Sequence, residues 1–257
     1  MGKIKISKLN ISSLLLSTAI FIGASAASLL AEDYKVVEVK KGGSISGSVI
    51  LEGAAPKSRT MTVTKDKEIA KDETREVDVV KVKDGKVAEA VVYLEKVKAG
   101  KAWPELAEGG AIDQKGAKFI THSRVIHKGV KVEVKNSDPV MHNIHAYELI
   151  GRARRTMFNK GQPTGMTFNL DFEVKRSPFV KLECDAHNFM HQYLFVADNP
   201  YYSVSTDAGT FSITDVPAGI YMMSVWHPNL GTQKTKITVR AGQSATHDFT
   251  LKSKGGK

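Results

Sequence analysis

Leu182-Glu183-Cys184-Asp185-Ala186-His187-Asn188-Phe189-Met190 is the stretch on which the reading of this chain turns. It continues Phe179-Val180-Lys181, and the alternation through Cys184 has the period of a half-buried strand. That strand runs into a Cys-x2-His-x2-Met segment, so one short loop presents a thiolate, an imidazole and a thioether. Each residue alone has an ordinary structural explanation, since buried cysteines, surface histidines and core methionines are common. Together they are the soft and borderline donors that suit copper in both of its oxidation states. Cys184 is also the only cysteine in 257 residues, so no internal disulfide can claim it.

A centre of this kind needs a second imidazole from elsewhere. Asn136-Ser137-Asp138-Pro139-Val140-Met141-His142-Asn143-Ile144-His145 follows the alternating Val130-Lys131-Val132-Glu133-Val134-Lys135 and offers His142 and His145. The residues alone do not choose between them. On the side of Cys184, His191 stands next to Met190 and competes with it as a weak fourth ligand.

These two segments resemble the cupredoxin family, and the ligand loop is similar to that of amicyanins. The carrying features are Asn136 leading to His142-Asn143 and the Cys184, His187, Met190 spacing. The resemblance spans about 112–197. It implies a Greek-key β-sandwich with one copper ion cycling between Cu(I) and Cu(II). It assigns His142 rather than His145, with Cys184 and His187 completing a trigonal plane and Met190 on a longer axial bond. Asn143 would donate its backbone N–H to the Cys184 sulfur. Met141 and Phe189 would border an exposed edge of His187 as an apolar landing patch for a redox partner. More broadly, the chain is similar to exported proteins described as methylamine-utilisation-like. Those carry two further cysteines, near Ile69-Ala70 and Ala117, which are absent here and whose joint loss would remove a disulfide.

Outside that region strand patterns also dominate. Ser44 to Leu51, Val87 to Leu94, Thr167 to Phe172, Tyr193 to Val196, Thr210 to Ile213, Tyr221 to Trp226 and Thr235 to Val239 alternate or are rich in β-branched residues. Lys65 to Glu76 is highly charged and suits a helical turn or a loop. The turns Asp207-Ala208-Gly209 and Pro217-Ala218-Gly219 resemble those of the carboxypeptidase regulatory-like domain, a small transthyretin-like sandwich whose opening strands are similar to Ile45–Val49 and Ala90–Leu94. The expected fold is therefore all-β, with a cupredoxin sandwich (112–197) inserted in, or beside, a sandwich made of 44–103 and 201–251. Residues 252–257 read as a disordered polar tail.

Lys3, Lys5 and Lys8 precede an apolar stretch from Ile11 to Gly23 and the small residues Ala24-Ser25-Ala26. This is the pattern of a secretory signal over 1–26, and it is short for a membrane span. The mature chain would have no transmembrane anchor and a periplasmic or otherwise exported location. The formal net charge of +10 falls when that segment is removed but stays positive, which suits an acidic protein partner. No dense basic cluster with interleaved aromatics points to nucleic acid, and Arg152-Ala153-Arg154-Arg155 reads as a solvated loop. GxSxG, phosphate-loop and HExxH motifs are absent. The expectation is an electron carrier and not an enzyme, with a c-type cytochrome or a dehydrogenase as redox partner. The alternatives are a copper-delivery protein and a structural module with a vestigial site.

Overall fold

Strands make up nearly all the regular structure, as the period-two patterning requires. The computed structural model describes residues 1–2, 34–105 and 111–253. Residues 3–26 of the expected signal segment and residues 254–257 of the expected tail lie outside the described residues. Lys252, placed in the tail by sequence, closes the strand Phe249–Lys252.

Two sheets surround the thiol. A five-stranded sheet runs Ser123–His127, His187–Ala197, Phe179–Cys184, His142–Ile150, Ala153–Gln162. A three-stranded sheet runs Thr167–Leu170, Val132–Asn136, Ile112–Gln114. Their inner faces share one core containing Ile112, Val134, Ile144, Leu182, Cys184 and Leu194. The hairpin of His142–Ile150 with Ala153–Gln162 has no clean alternation in its second strand, which is an exposed edge, so pattern reading passed over it. It also corrects the reading of 152–155 as a solvated loop. Arg155 lies in that edge strand and pairs at 2.6 Å with Glu148, whose side chain is fully buried.

A second core lies between a four-stranded sheet (Tyr202–Val204, Val91–Leu94, Gly219–His227, Gly231–Val239) and a sheet centred on Gly43–Glu52. The strand Gly43–Glu52 pairs antiparallel with Thr210–Val216 and parallel with Ser244–Thr246 and Phe249–Lys252. Gly47 permits this crowding, because a Cβ there would fall 1.8 Å from the His247 carbonyl oxygen. Strands from before and after the thiol-bearing sheets thus share hydrogen bonds.

The two cores meet through aromatic side chains. Phe179 stacks on Trp226 with centroids 4.3 Å apart and planes 13° apart, and Tyr93 lies against Phe195 at 4.5 Å. Alternation dictates this: Tyr193, Phe195 and Ala197 point away from the thiol-side core on the same strand that sends Leu194 and Val196 into it.

One segment is not where sequence put it. The hairpin Arg59–Thr62 with Thr74–Val77, closed by the helix Lys67–Ala70, falls within 44–103, yet its Val63, Ala70 and Val77 are buried in the thiol-side core. Ala70 and Ala117, the neighbourhoods of the missing cysteines, are both buried there. Arg75 ties them together without a disulfide, donating to the carbonyls of Ala70 at 2.9 Å, Gly116 at 2.7 Å, and Ala117.

Candidate metal centre

Period two decides which histidine faces inward. Along His142–Ile150 the residues His142, Ile144 and Ala146 are buried, whereas Asn143 and His145 have the opposite parity. His142 is therefore delivered to the core side of Cys184, and His145 to the other face. There His145 Nδ1 lies 3.0 Å from Asp185 Oδ1 and 2.9 Å from the Tyr147 hydroxyl. His191 pairs across strands with Glu183, and Glu183 with His145, so this row shares a face that Cys184 does not. Met190 is 1% exposed and belongs to the same core as Cys184.

The register slips between Glu183 and Cys184, so that Cys184 faces His187 while Glu183 faces His191. The extra residues form a bulge, which bends the strand and re-aims the side chains it carries. The result brings His142, Cys184 and His187 together, all buried. His142 Nδ1 is 3.1 Å from His187 Nδ1, and the Cys184 sulfur is 3.8 Å and 3.5 Å from these nitrogens. A point equidistant from three such corners lies about 2 Å from each, the length of a metal–imidazole bond.

The far nitrogens are equally specified. His142 Nε2 lies 2.9 Å from Asp138 Oδ2, and His187 Nε2 lies 2.7 Å from Asp66 Oδ2. A carboxylate only accepts, so each Nε2 donates to its carboxylate, and in the neutral form of each ring Nδ1 is the atom that offers a lone pair. The two Nδ1 atoms, 3.1 Å apart, and the nearby sulfur are the atoms a metal ion could take as ligands. Burial pushes the His142 imidazole below its ordinary pKa range, keeping it neutral, and pushes the Cys184 thiol above its own. Two imidazole nitrogens with a buried thiol are a donor set for a thiophilic metal.

Asn143 fastens the loop. Its backbone N–H points at the Cys184 sulfur at 3.5 Å, and its amide oxygen accepts from the Asp185 N–H at 2.7 Å. Asp138 accepts from the N–H groups of Gly116 at 2.6 Å and Ala117 at 2.8 Å while holding His142. Sequence reading missed both carboxylates. Asp138 was visible only as part of a turn, and Asp66 lay in a charged run far from either ligand segment.

The expected landing patch is not formed as described. Met141 is 59% exposed, but Phe189 is 4% exposed and the His187 side chain has no exposed surface. The physical reason is the hairpin 59–77, whose Asp66 occupies the outer edge of the ring.

Fold and site together define an all-β chain with a buried cluster of two imidazoles and a thiol that could hold a metal ion. Among solved structures it is similar to a novel purple cupredoxin from Nitrosopumilus maritimus, at 24% identity over 34% of this chain and 99% of that one, with a TM-score of 0.29. It is similar to an amicyanin variant in the Cu(I) state, at 20% identity over 42% of this chain and 99% of that one, with a TM-score of 0.29. A Cu-containing nitrite reductase from Thermus scotoductus SA-01 matches at 17% identity over 40% of this chain and 24% of that one, with a TM-score of 0.29. The family model described as polysaccharide lyase family 4, domain II, matches residues 181–247. That match, and not a carboxypeptidase regulatory-like model, is what covers the C-terminal turns. No curated protein matches.

Proposed function

We propose that this chain is a mononuclear type-1 copper protein that carries single electrons. The observation that carries this reading is the pair of facing Nδ1 atoms, 3.1 Å apart, with both Nε2 atoms bound to carboxylates and the Cys184 sulfur alongside. Copper held there would supply a one-electron Cu(I)/Cu(II) couple. His142, Cys184 and His187 would hold it, and Met190, buried in the same core, would be a weaker fourth donor. Cys184 gives up its proton on binding, and the Asn143 N–H supports the resulting thiolate. Asp138 and Asp66 keep both rings in one tautomer and one orientation, so little rearrangement accompanies electron transfer.

In the same reading, 112–197 is the copper sandwich and the strands of 44–52, 82–94 and 201–251 form a scaffold around it. The shared sheets and the Phe179–Trp226 stack support a copper domain that does not swing on a tether. The chain would work outside the cytoplasm after removal of 1–26, and its positive charge suits an acidic redox protein. Among the described residues no helix is long and apolar enough to cross a membrane.

The test is the visible and paramagnetic-resonance spectrum of the copper-loaded full-length chain. An intense charge-transfer band with reversible one-electron chemistry is expected. Copper binding with no such band would leave a copper-binding or copper-delivery protein without a redox role, and no binding would sink both readings.

A further inference from the structure

Resting on that reading, we propose that Asp66 is a positioning residue for the metal centre, and that the hairpin carrying it is a cap closing the outer edge of His187. Asp66 sits at the N-cap of the helix Lys67–Ala70, where an aspartate side chain normally accepts from the first helical N–H groups. Here the carboxylate makes no capping bond and turns instead to His187 Nε2, at 2.7 Å. Its backbone is left-handed, at φ 50° and ψ 44°, a region that aspartate enters more readily than most residues. The helix therefore forgoes a side-chain cap, and the carboxylate oxygen meets the imidazole instead.

The hairpin is held down independently of that bond. Val63, Ala70 and Val77 are buried in the core beneath the centre. Arg75 donates to the Ala70, Gly116 and Ala117 carbonyls, and its guanidinium lies 5.3 Å from the centre of the Phe189 ring. The N–H groups of Gly116 and Ala117 in turn bind Asp138, the carboxylate behind His142. The supports of the two imidazoles are thus joined through one turn, and the cap braces both. With the ring edge covered, the His187 side chain retains no exposed surface, while Asp66 itself stays one-fifth exposed.

Two consequences distinguish a positioning role from a merely structural one. The carboxylate adds negative charge and basicity to the imidazole, which favours Cu(II) over Cu(I) and lowers the reduction potential. It also fixes the tautomer that aims Nδ1 inward, which strengthens metal binding with or without redox chemistry.

The experiment compares full-length wild type with Asp66→Ala, Asp66→Asn and Glu68→Gln, the last removing a charge from the same helix at an exposed position. In metal-free protein, nitrogen-detected resonance should show a His187 Nε2–H in slow exchange with water. Asp66→Ala should lose it, whereas Asp66→Asn and Glu68→Gln should keep it, because an amide oxygen still accepts. In chelator competition, Asp66→Ala should bind copper about 10- to 100-fold more weakly than wild type. The potential should rise in Asp66→Asn and Asp66→Ala but not in Glu68→Gln. Identical exchange, affinity and potential in Asp66→Ala and Glu68→Gln would overturn the cap. Copper binding failing in wild type while His187 Nε2–H stays protected would overturn the copper reading and leave the cap standing.

Discussion

The Nδ1 atoms of His142 and His187 face each other across 3.1 Å, although 45 residues separate them in the chain. Both rings have their other nitrogen committed to a carboxylate, so both Nδ1 atoms are turned toward one buried point beside the Cys184 sulfur. Binding a metal ion there would link two strands of one sheet. Copper removal should therefore lower the melting temperature. At a metal concentration a thousandfold above Kd the ligand contributes about 4 kcal/mol to stability, a gain that calorimetry with and without chelator would read. An unchanged melting temperature would mean that no metal is held between these rings.

Asp138 bonds two backbone N–H groups and one imidazole while only 4% exposed. Asp138→Ala should weaken copper affinity about 10- to 100-fold and also destabilise the metal-free fold, since two buried donors lose their acceptor. Chelator competition and urea denaturation would measure the two losses separately.

Cys184→Ser should abolish the visible band, because the thiolate creates the transition. Met190→Leu should keep the colour and shift the potential, because an axial thioether only tunes the site. Absorption spectroscopy and voltammetry on the copper-loaded variants decide this, and a full-strength band in Cys184→Ser is the adverse result.

Trp226 lies flat on Phe179 at the junction of the two cores. Trp226→Ala should cost about 3–5 kcal/mol of stability, the usual range for deleting a large buried ring. A near-zero change in denaturation midpoint would show that the cores do not support one another there.

Glu148 offers a test in acid. Burial opposes its charge, but the N–H groups of Arg176 at 2.5 Å, Ser177 at 2.9 Å and Lys175 at 2.8 Å, with Arg155, prevail and hold its pKa down to about 2. A carboxylate depressed on folding stabilises the native state fully above its unfolded value of 4.5, and that stabilisation is lost as pH falls from there toward about 2. Its size is on the order of 3 kcal/mol. Glu148→Gln should be less stable than wild type at neutral pH, with the difference shrinking as the acid limb is descended. A constant difference from pH 7 to pH 2 would contradict this.

The all-β class, the strand leading to Cys184 and the pairing of Cys184 with His187 on one loop could be read from local pattern, whereas the choice of His142 came from the family resemblance. Period two and donor chemistry are properties of residues near one another in the chain, and the Cys-x2-His spacing keeps two donors on one loop. What local pattern could not reach was decided by packing between distant segments. The parity of His142 and His145 became decisive only once one face of that strand was buried. The edge strand Ala153–Gln162 lacked alternation because one side has no neighbour. Phe189 turned inward and the His187 edge was closed because a hairpin from 59–77 buries its own apolar side chains in the same core. Asp66 is 121 residues from His187, and its sequence neighbours say only that it begins a short charged helix. The donors were written locally, whereas the carboxylates that orient them and the cover over them exist only where the folded chain brings those segments together.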